Sequence, residues 1–182
     1  MVKSNMEQDI LKVLMSEEQL HARVQEMGSE LYDRFADKDP IFVGVLKGCF
    51  IFMADLMRYV DIRCSMDFMA VSSYSGTSST GAVKINKDLS EDIEGRHVII
   101  VEDILDSGVT LSYLKQYLMV RKPASISIAT LMDKPARRKA DVYADYSCFE
   151  IPDAFVVGYG LDYNERYRNL PYIGVLKPEI YS

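Results

Sequence analysis

Two adjacent carboxylates follow a run of β-branched residues in the middle of the chain. Residues 98–101 read Val-Ile-Ile-Val, a composition typical of a strand buried on both faces, and Glu102 and Asp103 come directly after them. Because neighbouring acids at the end of a buried strand repel each other, we expect a cation or hydroxyl groups to hold them. The pair therefore predicts a site for Mg²⁺ or for the hydroxyl groups of a sugar.

A turn with hydroxyl side chains comes next. Residues 106–110 read Asp-Ser-Gly-Val-Thr and lead into a predicted helix over 110–122. Gly108 permits a close approach of the backbone to a ligand, and the free N–H groups at the start of a helix bind anions. Alone, so short a motif more often caps a helix. Next to Glu102 and Asp103, it predicts a pocket for a phosphorylated sugar.

Strands and helices alternate on both sides of these residues. Ser16 and Gln19 form a capping-box pattern, and an apolar stripe continues from there to Phe35, which predicts a long helix. Apolar runs predict strands over 41–46, 97–103, 125–133 and 154–162, and a second helix over 48–60. This order predicts an α/β fold whose central sheet is mostly parallel and flanked by helices.

The ends of the predicted strands carry polar side chains. Lys47, Glu102, Lys134 and Asp162 each stand at the end of a different strand or just beyond it. In open sheets of this class, ligands bind outside the carboxyl ends of the strands. We therefore expect these side chains to line one site.

A serine-rich segment follows the first of these strands and its helix. Residues 72–81 read SSYSGTSSTG, which can bury little apolar area and predicts a mobile loop. Strand patterns around Met66 and Ile85 flank it. We interpret the region 62–95 as a hairpin or flap inserted outside the alternation of strands and helices.

The composition is that of an ordinary globular protein. The chain has 182 residues, of which 48% are hydrophobic and 26% charged, and this suits a single domain over residues 1–182. Its net charge of -6 disfavours a general nucleic-acid binder. The N-terminus lacks the apolar core of a signal peptide, and Lys47 and Asp55 interrupt the longest apolar stretch, so no membrane span is expected. Scattered cysteines form no disulfide framework and favour the reducing cytoplasm.

Several other functional classes lack their motifs in this sequence. A P-loop would need Lys followed by Ser or Thr where the chain has Ala82 and Val83, and no GxGxxG of a dinucleotide dehydrogenase follows a predicted strand. His21 and His97 are far apart and no cysteine pair has ligand spacing, which disfavours a zinc enzyme. A regulatory protein that binds RNA remains an alternative. Its only basic patch would be KPARRK at 134–139, and the acidic total argues against it.

The run from Val98 to Thr110 resembles, at every position, the phosphoribosyl-pyrophosphate (PRPP) signature of type I phosphoribosyltransferases. Further blocks are similar to the hypoxanthine-guanine phosphoribosyltransferases within that group: Leu46-Lys47-Gly48, Ser73-Tyr74, Lys134, residues 155–159, residues 161–165 and Arg168. The resemblance implies that a small hood and a flexible lid loop accompany the mostly parallel sheet. It also implies a homodimer or homotetramer.

The same resemblance implies an enzyme of purine salvage. The family transfers the 5-phosphoribosyl group from PRPP to N9 of hypoxanthine or guanine, giving IMP or GMP and pyrophosphate, with Mg²⁺ as cofactor. Catalysis then depends on positioning, electrostatics and exclusion of water, because bond breaking at C1 leaves oxocarbenium character on the ribose. A preference for xanthine or another base remains an alternative.

The resemblance assigns roles to the residues of the central run. Asp106 matches the catalytic carboxylate that accepts the proton from N7 of the purine. Glu102 and Asp103 match the residues that hold the ribose hydroxyls and Mg²⁺. The 5′-phosphate is implied to bind Asp106, Ser107, Gly108, Val109 and Thr110. Position 109 is Val where some relatives have Lys, and we expect no loss of activity from this difference.

Two further groups of residues are implied to act on the pyrophosphate side. Lys47, Gly48 and Arg168 would contact pyrophosphate, and the family has a non-proline cis peptide bond immediately before the residue that matches Lys47. Ser73 and Tyr74 would belong to the lid loop, which closes to exclude water.

The purine is implied to bind residues from the second half of the chain. Lys134 would donate to O6 of the base, and Phe155 would stack on the ring. Val156 and Asp162 would meet the far edge of the base, and Asp162 would also approach a second Mg²⁺. Because adenine has no acceptor at position 6 of the ring, Lys134 would select 6-oxopurines.

Overall fold

The computed structural model describes residues 5–73 and 83–182, which form two β-sheets with helices packed on the larger one. The strands are β1 (Ile10–Met15), β2 (Ile41–Leu46), β3 (Ser65–Ser73), β4 (Val83–Lys87), β5 (His97–Leu105), β6 (Ser125–Asp133), β7 (Tyr146–Glu150), β8 (Val156–Val157) and β9 (Ile173–Leu176). The helices are α1 (Asn5–Gln8), α2 (Glu17–Phe35), α3 (Phe50–Tyr59), α4 (Val109–Met119) and α5 (Pro178–Tyr181), with a 3₁₀ turn at Pro135–Arg137. Residues 74–81 of the predicted loop lie outside the described residues.

Apolar strands form the centre of the larger sheet, whose order is β4-β3-β2-β5-β6-β7. β2 pairs parallel with β5, with Ile41 opposite Val98, and β5 pairs parallel with β6, with His97 opposite Ser125. The middle of each of these strands is fully buried, which explains why their sequences are apolar at consecutive positions. The predicted α/β fold with a mostly parallel sheet is confirmed.

Helix α2 begins and packs as its sequence predicts. The Ser16 N–H donates to Gln19 Oε1 (2.9 Å) and the Gln19 N–H donates to Ser16 Oγ (3.3 Å), which completes the capping box. The apolar stripe is buried in the core from Leu20 to Phe35. Each such side chain stabilises the fold by about 1.5–3 kcal/mol when fully buried, so packing rather than propensity holds the helix against α3.

The hairpin over 62–95 is only partly as predicted. β3 and β4 pair antiparallel, which confirms the hairpin, but β3 also pairs parallel with β2 and so belongs to the main sheet. Met69 of β3 is buried, whereas Met66 is 56% exposed. Because one face of β3 is partly open to solvent, its sequence alternates as an edge hairpin would, and the pattern gave no sign of its parallel partner.

The predicted strand over 154–162 is correct only for Val156–Val157. Gly158, Tyr159 and Gly160 have φ values of 101°, 49° and 105°, which take the chain out of the extended conformation. β8 pairs antiparallel with β9 in a separate sheet of order β1-β9-β8, so this segment is not a strand of the parallel sheet. β1, β7 and β9 had not been predicted.

No helix within residues 5–73 and 83–182 is long and apolar enough to cross a membrane.

Candidate functional site

The carboxyl ends of three neighbouring strands meet at one edge of the main sheet. β2, β5 and β6 lie side by side, so Lys47 after β2, the acids of β5 and Lys134 after β6 reach the same edge. The Lys134 backbone N–H donates to the Leu105 carbonyl (3.0 Å), which ties the ends of β6 and β5 together. The expected clustering of polar strand ends is therefore present for these three strands, while Asp162 comes from the segment between β8 and β9 of the second sheet.

Helix α4 begins at a small cavity of about 90 Å³ lined by Glu102, Ser107, Gly108 and Thr110 among others. Gly108 has φ 78°, and a Cβ there would lie 2.6 Å from Val142 Cγ1 and 2.9 Å from Arg138 Cδ, so the position requires glycine. The first N–H groups of a helix have no partner within it. The cavity therefore offers amides and hydroxyls to an anion, as the turn predicts.

The paired acids of β5 are held in an environment that disfavours their charge. Burial, followed by the charge of Asp103, raises the pKa of Glu102 well above its ordinary value. Burial raises the pKa of Asp103 to about 6, although its Oδ1 accepts the Ile104 N–H (2.8 Å). Glu102 Oε2 has no hydrogen-bond partner among the described residues. Such a pair gains stability when a cation or a set of donors joins it.

These two acids fit Mg²⁺ by their chemistry. They are hard oxygen donors, and Mg²⁺ is commonly held by one or two carboxylates together with waters and substrate phosphates. Within the described part of the chain, no cluster of three or more His, Cys, Asp or Glu side chains forms a complete metal site. Asp162, which the resemblance places near a second Mg²⁺, is paired with Arg168 (Oδ1 to Nη2, 2.7 Å).

Two cations of the predicted pyrophosphate site, Lys47 and Arg168, lie near the same carboxylate. Lys47 Nζ is 3.0 Å from Glu165 Oε2, and Arg168 Nη2 is 3.5 Å from Glu165 Oε1. Arg168 Nε has no hydrogen-bond partner among the described residues. Gly48 packs against the acids, because a Cβ at this position would overlap the Asp103 carboxylate. The peptide bond between Leu46 and Lys47 is cis, as the resemblance implied.

A larger cavity of about 340 Å³ is lined by Asp106, Lys134, Phe155 and Val156 among others. Lys134 is only 5% exposed, and its ammonium donates to the Ala154 carbonyl (2.9 Å). The Phe155 ring is stacked on Tyr181, with 4.7 Å between centroids and 18° between planes. Four of the predicted site residues therefore meet in one cavity.

The two cavities share a wall. Ile104 and Asp106 line both of them, so an anion at the start of α4 and a ring beside Lys134 would be neighbours across Asp106. Asp106 Oδ1 accepts no hydrogen bond from the described residues and lies 3.5 Å from Arg137 Nε. Asp162 lies outside the lining of both cavities.

Two arginines that the sequence offered only as a basic patch are part of this site. Arg138 donates from Nε to the Asp106 carbonyl (3.1 Å) and from Nη2 to the Leu105 carbonyl (3.3 Å), and it also pairs with Asp133. Arg137 lies between the Asp106 and Asp153 carboxylates. The only signal in the sequence was their place directly after the end of β6.

Of the two residues assigned to the lid loop, only the first is among the described residues. Ser73 is the last residue of β3, and Tyr74 lies outside the described part of the chain.

Comparison with known proteins decides the family. Residues 16–164 match the model of the Phosphoribosyl transferase domain. The chain belongs to the phosphoribosyltransferase family. The fold and the family resemblance inferred from the sequence are thereby confirmed.

Phosphoribosyltransferases similar to this chain are known in several bacteria. The hypoxanthine-guanine phosphoribosyltransferase of Bacillus subtilis (strain 168) is 59% identical over 178 residues, which cover 97% of this chain and 99% of that protein. The bifunctional protein TilS/HprT of Listeria monocytogenes (serotype 4b, strain F2365) is 56% identical over 98% of this chain, which spans 28% of that longer protein. A crystal structure of a hypoxanthine phosphoribosyltransferase from Staphylococcus aureus is 51% identical, with a TM-score of 0.96 and 100% coverage of both chains.

Proposed function

We propose that this chain is a purine-salvage enzyme that transfers the 5-phosphoribosyl group from PRPP to N9 of hypoxanthine or guanine, giving IMP or GMP and pyrophosphate. One observation carries the proposal: a cavity lined by helix-start amides and a cavity of purine size share the Asp106 wall, beside two acids suited to a ribose. A sugar phosphate in the first cavity would present its C1 toward a base in the second. Relatives named as such transferases over nearly the full length support the same reaction.

Asp106 is proposed as the catalytic carboxylate. It lies between the two cavities with an oxygen that accepts no hydrogen bond from the described residues. This carboxylate would take the proton from N7 of the purine as N9 bonds to the ribose. Arg138, bound to the Asp106 carbonyl, would hold the turn in place.

The 5′-phosphate is proposed to bind at the start of α4. Ser107, Gly108 and Thr110 of this turn, two of which carry hydroxyl groups, line the small cavity. Val109 would contribute only its N–H, which here donates to Ser107 Oγ (3.4 Å), since its side chain is exposed. This arrangement requires no cationic side chain, because helix-start amides and the helix dipole favour an anion.

Glu102 and Asp103 are proposed to hold the ribose hydroxyls and Mg²⁺. The ion would neutralise charge on the pyrophosphate group, and it would offset the burial that raises the pKa of both acids. Lys47, Gly48 and Arg168 would contact the pyrophosphate directly. Lys47 is paired with Glu165 and Arg168 with Asp162 here, so pyrophosphate would displace these carboxylates from the two cations.

The purine is proposed to occupy the larger cavity. Lys134 is buried at its edge and, with one of its three N–H groups on the Ala154 carbonyl, retains donors for O6. Phe155 would stack on the base and the Val156 backbone would meet its far edge. Asp162 is proposed to act at the rim, through Arg168 and a second Mg²⁺, rather than inside the cavity.

We also propose that residues 1–182 act as one domain, in homodimers or homotetramers, in the cytoplasm. Three free cysteines are consistent with a reducing compartment.

A panel of hypoxanthine, guanine, xanthine and adenine, each with PRPP and Mg²⁺, tests this function. We expect turnover with hypoxanthine or guanine and little with adenine. Lys134→Ala should raise the KM for the 6-oxopurine by about 10- to 100-fold, the value of a charge-assisted hydrogen bond, and leave the KM for PRPP nearly unchanged. Lys139→Ala, an exposed lysine of the same basic segment, is the control. Equal losses for both substrates would contradict the role of Lys134.

A further inference from the structure

A buried phenol next to the pyrophosphate side of the site has no role in the reaction proposed above. Tyr159 is 2% exposed and has φ 49°, in the left-handed region that is unfavourable for a bulky residue. Its hydroxyl donates to Asp55 Oδ2 at 2.6 Å. Burial, followed by the hydrogen bond to Asp55, raises the pKa of Tyr159, so the phenol is neutral and remains a donor.

The acceptor belongs to the helix that follows the Lys47–Gly48 turn. Asp55 lies on α3, which is joined to the turn by the hydrogen bond from the Phe50 N–H to the Lys47 carbonyl (3.3 Å). His21 Nε2 and Arg58 Nη1 face the same carboxylate at 3.9 Å and 3.8 Å. The Tyr159 hydroxyl therefore connects the segment after β8 to the helix whose N-terminus carries the turn.

The residue that follows Tyr159 touches both parts of the proposed pyrophosphate site. Gly160 has φ 105°, and a Cβ there would overlap the Gly48 carbonyl, so the two backbones are in direct contact. The Gly160 N–H donates to the Arg168 carbonyl (2.9 Å), and its own carbonyl accepts from Arg168 Nη1 (2.8 Å). The position of Gly160 thus sets the position of the turn relative to the guanidinium.

We propose that Tyr159 is a positioning residue for pyrophosphate: its hydrogen bond to Asp55 fixes Gly160, and Gly160 holds the Lys47–Gly48 turn and Arg168 at the spacing that the pyrophosphate group of PRPP requires. This inference rests on the proposed function. Although Tyr159 would touch no substrate, it would affect the binding of PRPP and not that of the purine. Neither Tyr159 nor Asp55 lines the cavity proposed for the purine.

Tyr159→Phe tests the proposal, because it removes the hydroxyl and keeps the ring. We expect the KM for PRPP and the Kd of Mg²⁺–pyrophosphate, measured by titration calorimetry, each to rise by about tenfold, the effect of losing one hydrogen bond to a charged group. The KM for hypoxanthine should stay near that of the wild type. Asp55→Ala should have the same effect, Asp55→Asn should retain most of the affinity through its amide oxygen, and the Tyr159→Phe/Asp55→Ala double variant should lose no more than either single variant.

Tyr167→Phe is a matched control for a general loss of stability. Tyr167 is 5% exposed, has φ 74°, and donates from its hydroxyl to Asp9 Oδ2 (2.7 Å), so the same kind of pair is broken in the same segment. Its removal should lower the melting temperature without a selective change in pyrophosphate affinity.

The outcomes separate this inference from the function on which it rests. If the wild type binds pyrophosphate and Tyr159→Phe binds it equally well, or if the KM values for both substrates rise together, the positioning role is wrong while the function stands. If the wild type neither binds pyrophosphate nor converts purines, the proposed function fails and the positioning role fails with it. Should Tyr159→Phe not fold, Asp55→Ala decides between the same outcomes.

Discussion

Asp106 combines a position between two cavities with a carboxylate oxygen that accepts no hydrogen bond from the described residues. We expect Asp106→Asn to lower turnover by about 10²- to 10⁴-fold, because the amide cannot take a proton, while PRPP still binds at the start of α4. Steady-state rates together with calorimetric titration of PRPP would measure both effects. Unchanged turnover would remove Asp106 from the mechanism.

A nearby carboxylate provides the control for this substitution. Asp153 Oδ1 lies 3.5 Å from Arg137 Nη1, as Asp106 Oδ1 lies 3.5 Å from Arg137 Nε, but Asp153 is absent from the lining of the small cavity. Asp153→Asn should therefore weaken the same arginine pair without the loss of turnover. A similar fall in both variants would assign the effect to Arg137, or to Lys134, whose Nζ lies 3.8 Å from Asp153 Oδ1, instead of to Asp106.

Some side chains of this site could be placed in it from the sequence and others could not. Glu102 and Asp103 lie near the end of a strand that is apolar enough to recognise, and Asp106 follows it, so their positions were predictable from neighbours in the chain. The place of Arg138 in the site was not predictable, because two of its partners are backbone carbonyls about thirty positions earlier in the sequence, brought close by the β5–β6 pairing. Contacts of that kind leave no local pattern.

The turn into α4 depends on backbone conformation as much as on side chains. Gly108→Ala should lower stability by more than the roughly 1–2 kcal/mol of a left-handed alanine, because its Cβ would also meet Val142 and Arg138. It should weaken PRPP binding as well, since the helix-start amides would shift. Chemical denaturation and calorimetry would report the two effects.

Gly95→Ala isolates the conformational part of this change. Gly95 has φ 71°, and a Cβ there would have no neighbour within 4 Å. We expect it to lose stability through backbone conformation alone and to bind PRPP as the wild type does. If both variants lose PRPP affinity equally, contact at Gly108 is not what shapes the anion cavity.

The end of β5 carries an electrostatic cost in the metal-free protein. The pKa of Asp103 is raised to about 6, so between about pH 4 and pH 6 the folded chain retains a proton that the unfolded chain has released. Stability contributed by this group therefore falls as pH rises through that window. Asp103→Asn should stabilise the metal-free chain at about pH 7.5 by on the order of 2 kcal/mol and change little at about pH 4.

Thermal unfolding in chelator at both pH values measures this difference, with Asp37→Asn, an exposed carboxylate, as the control. An equal shift of the melting temperature at the two pH values would show that Asp103 titrates normally. Added Mg²⁺ and PRPP should stabilise the wild type and not the Asp103→Asn variant.

Strands and helices were predictable where long apolar runs face the core, but not in the second sheet or at the edge strand β7 of the main sheet. The apolar stripe of α2 has the period of a helix. The strands β2, β5 and β6 are apolar at consecutive positions because both of their faces are buried. β8 is two residues long and leads into residues with positive φ, so its apolar sequence resembles a longer strand. β3 was misplaced because parallel pairing on a half-open face leaves the same alternation as a hairpin.

Both sheets contribute to the site, so ligand binding should stabilise the fold as one unit. PRPP with Mg²⁺ at about 100 times its dissociation constant should raise the free energy of unfolding by about 2.7 kcal/mol. Removing divalent metal with chelator should abolish turnover, and Mg²⁺ should restore it. Calorimetric melting and activity in the same buffers would test this, and full activity without divalent metal would refute the role of the acids in holding Mg²⁺.

The stack of Tyr181 on Phe155 has a practical use. The sequence contains no tryptophan, and Tyr181 lines the cavity proposed for the purine. Tyr181→Trp would thus install a single indole fluorophore within reach of an arriving nucleobase. Quenching of its fluorescence would report binding of the base in real time, separately from binding of PRPP. The native chain has no tryptophan emission to interfere with this signal.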